Sequence, residues 1–231
     1  LDGPTRIQGL IAHTRGCKSD ELSLLMDPTL ARHMPDPSVL ADMDAGAKRL
    51  AIAVHRNEAI LIFGDYDVDG ATSTAVLQRF LKMADHQDLT TIIPDREFGY
   101  GFGAAALDEV MATMPDVVVL LDCGTQNHDT IQEARDQGAD VIVIDHHQPS
   151  HTLPRANALI NPHRLDESEA GQALRNLCTA GLAFMFCVAV NRELRRLGRY
   201  EGRQEPNLSS LLDLVALGTV CDVMPLTGLN R

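Results

Sequence analysis

Residues 60–70 have the sequence ILIFGDYDVDG, in which an aliphatic run is followed by three alternate aspartates and a glycine. A continuous aliphatic run of this length predicts a strand that is buried on both faces of a sheet. The carboxylates of Asp65, Asp67 and Asp69 repel one another, and desolvation makes their ionisation harder still. A divalent cation that prefers oxygen ligands, Mg²⁺ or Mn²⁺, would keep them ionised. The alternative is a solvated acidic turn, because aspartate and glycine are common turn residues.

The rest of the chain alternates predicted strands with predicted helices. Further strands are predicted at 89–93, 117–121, 141–144 and 158–160, and helices at 39–56, 71–83, 104–114 and 127–137. Such alternation implies βαβ crossovers and a parallel sheet. We therefore predict an α/β fold with a doubly wound, mainly parallel five-stranded sheet. Apolar helices predicted at 178–197 and 209–220 give it a helical C-terminal portion.

The chain has 231 residues, enough for one large α/β domain or two small ones. A proline-rich break at 35–38 divides an N-terminal extension, 1–37, from a catalytic domain at 38–231. We expect the extension to pack on the core. Because the first residue is not methionine and the chain stops soon after an apolar helix, we also expect a fragment of a longer protein.

The composition excludes several classes of protein. A hydrophobic content of 45% with 23% charged residues is typical of a globular domain, and no apolar run is long enough to span a membrane. The formal net charge of −12 argues against a surface that coats nucleic acid, since phosphate binding favours a basic balance. The five cysteines form no CxxC pair, which favours reduced thiols in the cytoplasm and gives no support for structural zinc.

Polar residues follow the predicted strands at their carboxyl ends, and in a parallel sheet these ends share the edge where ligands bind. Together with a residue after the last apolar helix, they form a set of candidate metal ligands: Asp65, Asp67, Asp69, Asp122, His146, His147 and Asp222. Such a set can hold two divalent ions, which activate water and stabilise the transition state of phosphoester hydrolysis. Because the set contains imidazole, we predict two ions with Mn²⁺ preferred and Mg²⁺ possible.

Four segments resemble, in order and spacing, the signatures of the DHH phosphoesterases. They are GDYDVDG at 64–70, DCGT at 122–125, DHH at 145–147 and GTVCDVMPL at 218–226. The resemblance covers about residues 37–231 and includes PDR at 94–96, NP at 161–162 and CTAG at 178–181. It is closest to the single-strand-specific 5′→3′ exonucleases of DNA repair and recombination. It implies single-stranded DNA as substrate, a single-strand-binding protein and a helicase as partners, and DHHA1-type and OB domains outside this chain.

The same resemblance implies a role for each candidate ligand. Asp67 and Asp69 would each ligate one ion, and Asp122 would bridge the two ions. His146 and Asp222 would complete the ligands of the second ion, and Asp65 would be an additional ligand.

The predicted catalytic residues are Asp122, Asp145 and His147. By resemblance, His147 contacts the scissile phosphate and Asp145 orients the histidine pair through hydrogen bonds. Many relatives have a histidine two residues before Asp65, where this chain has Phe63. The first ion would then rely on Asp65 or water.

Four further residues are predicted to contact substrate: Arg96, Tyr100, Asn161 and His163. Aromatic side chains bind single strands by stacking on bases, but the loop at 98–103 is also compatible with an ordinary βα connection. A surface-loop role is the alternative for His163. The arginines between 192 and 203 could follow a DNA backbone, although a solvated helix end with a favourable dipole explains them better.

Two other functions remain open. One is a DHH-type phosphodiesterase or phosphatase that acts on a small nucleotide or a short oligonucleotide. The other is a non-catalytic scaffold, against which the complete set of aspartates and histidines argues.

Overall fold

The structure, a computed structural model, describes residues 3–16, 22, 26, 29–95 and 101–231. The chain divides into two compact units, one made of 1–35, 226–229 and 231, the other of 36–225 and 230. The first unit contains helices α1 (Gly3–Thr14) and α2 (Leu30–His33). The predicted domain boundary and the packing of the N-terminal extension stay predictions. Within the described ranges, no helix is both long and apolar enough to cross a bilayer.

The second unit is an α/β domain built around a five-stranded sheet. In chain order its elements are α3 (Met43–Arg56), β1 (Ile60–Gly64), α4 (Val68–Met83), β2 (Leu89–Ile92), α5 (Ala104–Met111), β3 (Val117–Leu121), α6 (His128–Asp136), β4 (Asp140–Ile144), β5 (Ala158–Ile160), α7 (Glu169–Gln172), α8 (Thr179–Arg196) and α9 (Leu212–Cys221). The strand order is β2-β1-β3-β4-β5, and every neighbouring pair is parallel. The predicted α/β fold is therefore confirmed.

Helices cover both faces of the sheet, which explains the continuous aliphatic strands. Alternate strand residues, among them Leu61, Val118 and Val143, lie in one core cluster with Leu107 of α5 and Ile131 of α6. The opposite face lies under α3, α4 and α8; α8 contacts both α3 and α4, and each of the three helices contacts strands. Of the predicted helical C-terminal portion, α8 belongs to this layer, and α9 packs on α4 and α8.

Two helices begin later than their apolar periodicity predicts. A 3₁₀ turn at Pro37–Val39 precedes α3. The left-handed backbone of Asp42 (φ 60°) prevents a continuous helix, so α3 begins at Met43. A second 3₁₀ turn at Leu208–Leu211 leads into α9. By contrast, α4 begins earlier than predicted, because the Asp67 side chain accepts the N–H of Gly70 and caps the helix.

The order in which strands are added to the sheet reverses at β1, since β2 lies on one side of β1 and β3 on the other. In open α/β sheets the carboxyl ends of such strands form the ligand-binding crevice. Glycine allows two close approaches there. A Cβ on Gly70 would lie 2.3 Å from the Asp65 carbonyl oxygen, and one on Gly218 would lie 2.8 Å from Cβ of Ala180, which brings α9 against α8.

The loop that carries Asp222 stores backbone strain. Val223 has φ 56° and is 86% exposed. Its N–H donates to the Val220 carbonyl, and that of Met224 donates to the Thr219 carbonyl, the pattern of a helix end that favours glycine. A β-branched residue in this conformation costs about 1–2 kcal/mol.

Val223→Gly should therefore stabilise the chain by about 0.5–1 kcal/mol, less than the full strain because glycine loses more backbone entropy on folding. Urea unfolding of the metal-free protein measures the change. Val220→Gly is the matched control: this exposed valine has helical backbone, so the same substitution should destabilise by a few tenths of a kcal/mol. A loss of stability in both variants would contradict the assignment of strain to Val223.

Candidate metal centre

The structure brings the predicted ligands together at the carboxyl edge of the sheet, from the loop after β1, the ends of β3 and β4, and the end of α9. Three overlapping groups have ligand atoms within 4.8 Å of one another: Asp65 with Asp67 and Asp122, Asp69 with His146 and Asp222, and Asp122 with His146 and His147. Asp122 and His146 each belong to two groups, so the ligand atoms form one continuous cluster.

The ring of His146 is surrounded by carboxylates from three different segments. Its Nε2 lies 3.5 Å from Oδ1 of Asp122, 3.6 Å from Oδ2 of Asp222 and 3.8 Å from Oδ2 of Asp69. These separations are longer than a hydrogen bond of good geometry. They leave the four side chains facing a common point, as ligands around a cation do.

Asp122 is buried, and its backbone is left-handed, with φ 63°. Burial, and then the charges of Asp69 and Asp67, raise the pKa of this carboxyl far above its ordinary value. Its Oδ1 accepts the hydroxyl hydrogen of Thr179 at 2.8 Å. Strained backbone and a strongly perturbed carboxyl are typical of functional sites.

The donor set fits a divalent cation. Within the part of the chain that the structure describes, both carboxylate oxygens of Asp65 and Oδ2 of Asp122 and Asp222 are buried without a hydrogen-bond partner. Burial, and then the charge of Asp67, raise the pKa of Asp65, although the backbone amide of Tyr66 opposes this shift. Burial also raises the pKa of Asp222. Unpaired buried carboxylates are costly, and a bound cation would remove that cost.

The start of α8 holds Asp69. The N–H of Thr179 donates to Oδ2 at 2.6 Å, and the N–H of Ala180 donates to Oδ1 at 2.9 Å. Both oxygens of this buried carboxylate therefore accept from backbone groups that a helix N-terminus leaves unpaired. The positive end of the helix dipole favours the same negative charge.

Asp145 holds His147 and the loop that follows β4. Its Oδ1 accepts the backbone N–H of His146 and of His147 and, at 2.7 Å, the ring Nδ1–H of His147. Although burial opposes ionisation, the hydrogen bonds and charge of His147 lower the pKa of Asp145 to about 2. In turn, the Asp145 hydrogen bond raises the pKa of His147. Asp145 thus binds the backbone of both histidines but the ring of only one.

The position that many relatives fill with histidine contributes nothing to this site. Phe63 is fully buried in the core cluster, where its ring meets Phe102 edge to face with centroids 5.4 Å apart. The group formed by Asp65, Asp67 and Asp122 consequently offers carboxylate oxygens only.

The predicted substrate contacts stay predictions. Arg96 and Tyr100 lie outside the described residues. Asn161 is buried, and its Nδ2 donates to Oγ1 of Thr125 and to the His147 carbonyl, while its Oδ1 accepts the N–H of His163. These bonds give Asn161 a structural role beside the loop of His147. The ring Nε2 of His163 lies 3.2 Å from the Arg175 carbonyl oxygen.

The arginines near the end of α8 make contacts inside the chain. Arg192 pairs with Asp36 and Asp44, Arg195 with Glu205, and Arg196 with Glu193. Arg199 donates to the carbonyls of Ala84 and Asp85, and Arg203 pairs with Asp85. These internal partners argue against a DNA-backbone track, and the solvated helix end with a favourable dipole stays a prediction.

Sequence reasoning assigned no role to Thr179 or Thr125. The N–H of Thr125 donates to Oδ2 of Asp145 at 3.1 Å, and Thr179 donates to Asp69 and Asp122. Both threonines belong to segments that resemble DHH signatures, but a threonine in sequence carries no sign of a partner that lies far away along the chain.

Residues 59–219 match the family described as "DHH family, N-terminal domain", and the chain belongs to this family. Among curated proteins, it is 38% identical over 203 residues to the single-stranded-DNA-specific exonuclease RecJ of Dickeya dadantii. That match covers 87% of this chain and 35% of the relative.

Solved RecJ structures are also similar to this chain. A manganese-bound exonuclease RecJ superposes with a TM-score of 0.68 at 34% identity, over 83% of this chain and 46% of that one. RecJ of Thermus thermophilus in complex with Mg²⁺ superposes with a TM-score of 0.57 at 28% identity, over 99% of this chain and 26% of that one. The chain spans about a third of the length of the curated relatives that it matches.

Proposed function

We propose that this chain is the catalytic core of a single-stranded-DNA-specific exonuclease that hydrolyses phosphodiester bonds with two divalent metal ions. The observation that carries the proposal is the position of Asp122. This residue belongs both to the group with Asp65 and Asp67 and to the group with His146 and His147. Membership of the DHH family supports phosphoester hydrolysis. The relatives that carry the name of single-stranded-DNA-specific exonuclease support the substrate.

The ligands divide into two chemically different sets. One ion would be held by Asp65, Asp67 and Asp122, and the other by Asp69, Asp122, His146 and Asp222. An all-carboxylate set suits Mg²⁺ or Mn²⁺, whereas a set with an imidazole favours Mn²⁺. The occurrence of Mn²⁺ in one RecJ structure and Mg²⁺ in another supports both ions as candidates.

When bound, the two metal ions would supply an activated water and positive charge that stabilises the transition state. The chain's own residues arrange the reaction around it. Asp145 accepts the Nδ1–H of His147, which fixes the ring and raises its pKa, and the ring would contact the scissile phosphate. The unpaired carboxylates repel the DNA backbone until cations neutralise them, which makes substrate binding depend on metal.

Digestion in the 5′→3′ direction, and a single-strand-binding protein and a helicase as partners, belong to the proposal through family resemblance alone. A cytoplasmic location also belongs to it. Free thiols at Cys123, Cys178, Cys187 and Cys221 support a reducing compartment.

The proposal is tested with the purified chain and a length series of 3′-labelled oligonucleotides in Mn²⁺, Mg²⁺ or EDTA. We expect stepwise shortening of single strands in Mn²⁺, slower shortening in Mg²⁺ and none in EDTA. Binding should be weak with a shallow salt dependence, because the arginines near the end of α8 are already paired.

Asp67→Asn serves as the metal-site control, and duplex of the same sequence serves as the substrate control. Turnover confined to dinucleotides would favour the small-substrate phosphodiesterase instead. Binding of Mn²⁺ without hydrolysis of any of these substrates would favour the scaffold.

A further inference from the structure

We infer that Thr179 is a positioning residue that sets the distance between the two metal-binding groups. The inference rests on the proposed two-metal function and adds a residue that touches two ligands at once. Thr179 is fully buried at the first position of α8, 57 residues from Asp122 and 110 from Asp69 in sequence.

A single residue reaches both carboxylates through different atoms. The backbone N–H of Thr179 donates to Oδ2 of Asp69 at 2.6 Å, and its side-chain hydroxyl donates to Oδ1 of Asp122 at 2.8 Å. Asp69 comes from the segment after β1, whereas Asp122 follows β3. The start of α8 therefore links ligands that two separate strands supply.

The hydroxyl also fixes how Asp122 presents its oxygens. Oδ1 accepts the Thr179 hydrogen, and Oδ2 is buried and has no partner within the described ranges. A carboxylate has about four lone-pair sites on its two oxygens, so one hydrogen bond leaves sites for two cations. Without the hydroxyl the carboxylate could rotate about χ2, which is a broad torsion for aspartate.

Thr179 differs from a residue that only satisfies a buried charge. The backbone donors to Asp69 do not depend on the side chain at 179, so a substitution there acts on Asp122 alone. Residues that orient metal ligands by hydrogen bonds typically change metal affinity about 10–100-fold when they are lost. A packing residue would change stability without changing the affinity of the folded protein for metal.

The test is titration of the metal-free chain with Mn²⁺ alone. Calorimetry measures the affinity, and electron paramagnetic resonance measures the coupling between bound ions. Thr179→Val keeps the shape and removes the hydroxyl, and it should weaken Mn²⁺ binding about 10–100-fold. It should also reduce the exchange coupling expected of two Mn²⁺ ions that share a carboxylate. Thr179→Ser should restore the affinity to within about threefold, since it regains the hydroxyl.

Thr130→Val is the matched control, because the Thr130 hydroxyl donates to the Phe102 carbonyl and touches none of the proposed ligands. It should bind Mn²⁺ like the unsubstituted chain. Thr179→Ala gives a second variant without the hydroxyl should the valine variant not fold.

Equal Mn²⁺ affinity and coupling in Thr179→Val and the unsubstituted chain would overturn the inference and leave the proposed function intact. Weak binding by Thr179→Ser would overturn it as well, since the methyl group would then be what matters. Failure of the unsubstituted chain to bind Mn²⁺ would instead overturn the metal centre on which both rest.

Discussion

The Asp122→Asn variant should lose paired Mn²⁺ binding and turnover, yet it should be more stable than the unsubstituted chain when no metal is present. One cause underlies both effects. Asp122 is buried among Asp69 and Asp67, and its pKa is raised because an ionised carboxyl is unfavourable there without a cation. The asparagine has no charge, and its Oδ1 can still accept the Thr179 hydrogen. The free energy of unfolding of the metal-free variant should rise by about 0.5–2 kcal/mol, a common size for a single stabilising substitution.

The pH dependence gives a second readout of the same substitution. The unfolded chain releases the Asp122 proton near pH ~3.9, whereas the folded protein retains it to higher pH. Since the folded state then binds more protons, its metal-free stability falls as pH rises above that value. Asp122→Asn removes this contribution, so its stability should depend less on pH. Urea unfolding in EDTA at several pH values measures the difference.

Turnover of Asp122→Asn should fall by more than about 100-fold, beyond the range typical of residues that only orient a ligand. Asp129→Asn is the matched control, because Asp129 is exposed in the first turn of α6. It should leave Mn²⁺ binding unchanged and slightly reduce stability through the helix dipole. An Asp122→Asn protein that is less stable without metal and still binds two ions would show that Asp122 is not the bridge.

The sheet and the ligand inventory could be predicted from sequence because both depend on local signals. The aliphatic runs predicted each strand to within one residue at either end. For β1 and β3 the reason is that every position is buried and apolar. Parallel topology then placed Asp65, Asp122 and His146 at one edge. That step needs only the chain order of strands and helices.

Other features depend on geometry that sequence does not encode locally. Helix α3 begins at Met43 and not at the predicted residue 39, because Asp42 adopts a left-handed conformation that apolar periodicity cannot reveal. The contact between Thr179 and Asp122 requires α8 to cross the sheet edge at a particular place. The close approach of α9 to α8 at Gly218 likewise follows from helix packing. Ion pairs such as Arg192 with Asp36 join positions 156 residues apart.

Replacing His147 with alanine should lower turnover roughly 10²–10³-fold, the usual effect of losing one donor to transition-state charge. Mn²⁺ affinity should stay within about threefold of the unsubstituted chain. The Nδ1–H of His147 is bonded to Asp145 at 2.7 Å, and that bond raises the pKa of the ring. The bond to Asp145 fixes the ring and leaves its Nε2 to contact the phosphate, the role that we assign to His147.

His146→Ala is the matched variant, one residue away and on the same loop. Its Nε2 faces the carboxylates of Asp69, Asp122 and Asp222, so its loss should weaken Mn²⁺ binding as well as turnover. The two histidines lie close enough to Asp122 to serve as ligands of one ion, which is the competing assignment. Calorimetry with Mn²⁺ distinguishes the two assignments, since equal loss of metal in both variants would make His147 a ligand. We expect unequal loss, because Asp69, Asp122 and Asp222 already face the Nε2 of His146, whereas the Nδ1 of His147 that lies 3.9 Å from Oδ1 of Asp122 is bonded to Asp145. Ligation through Nε2 of His147 is the alternative that equal loss would support.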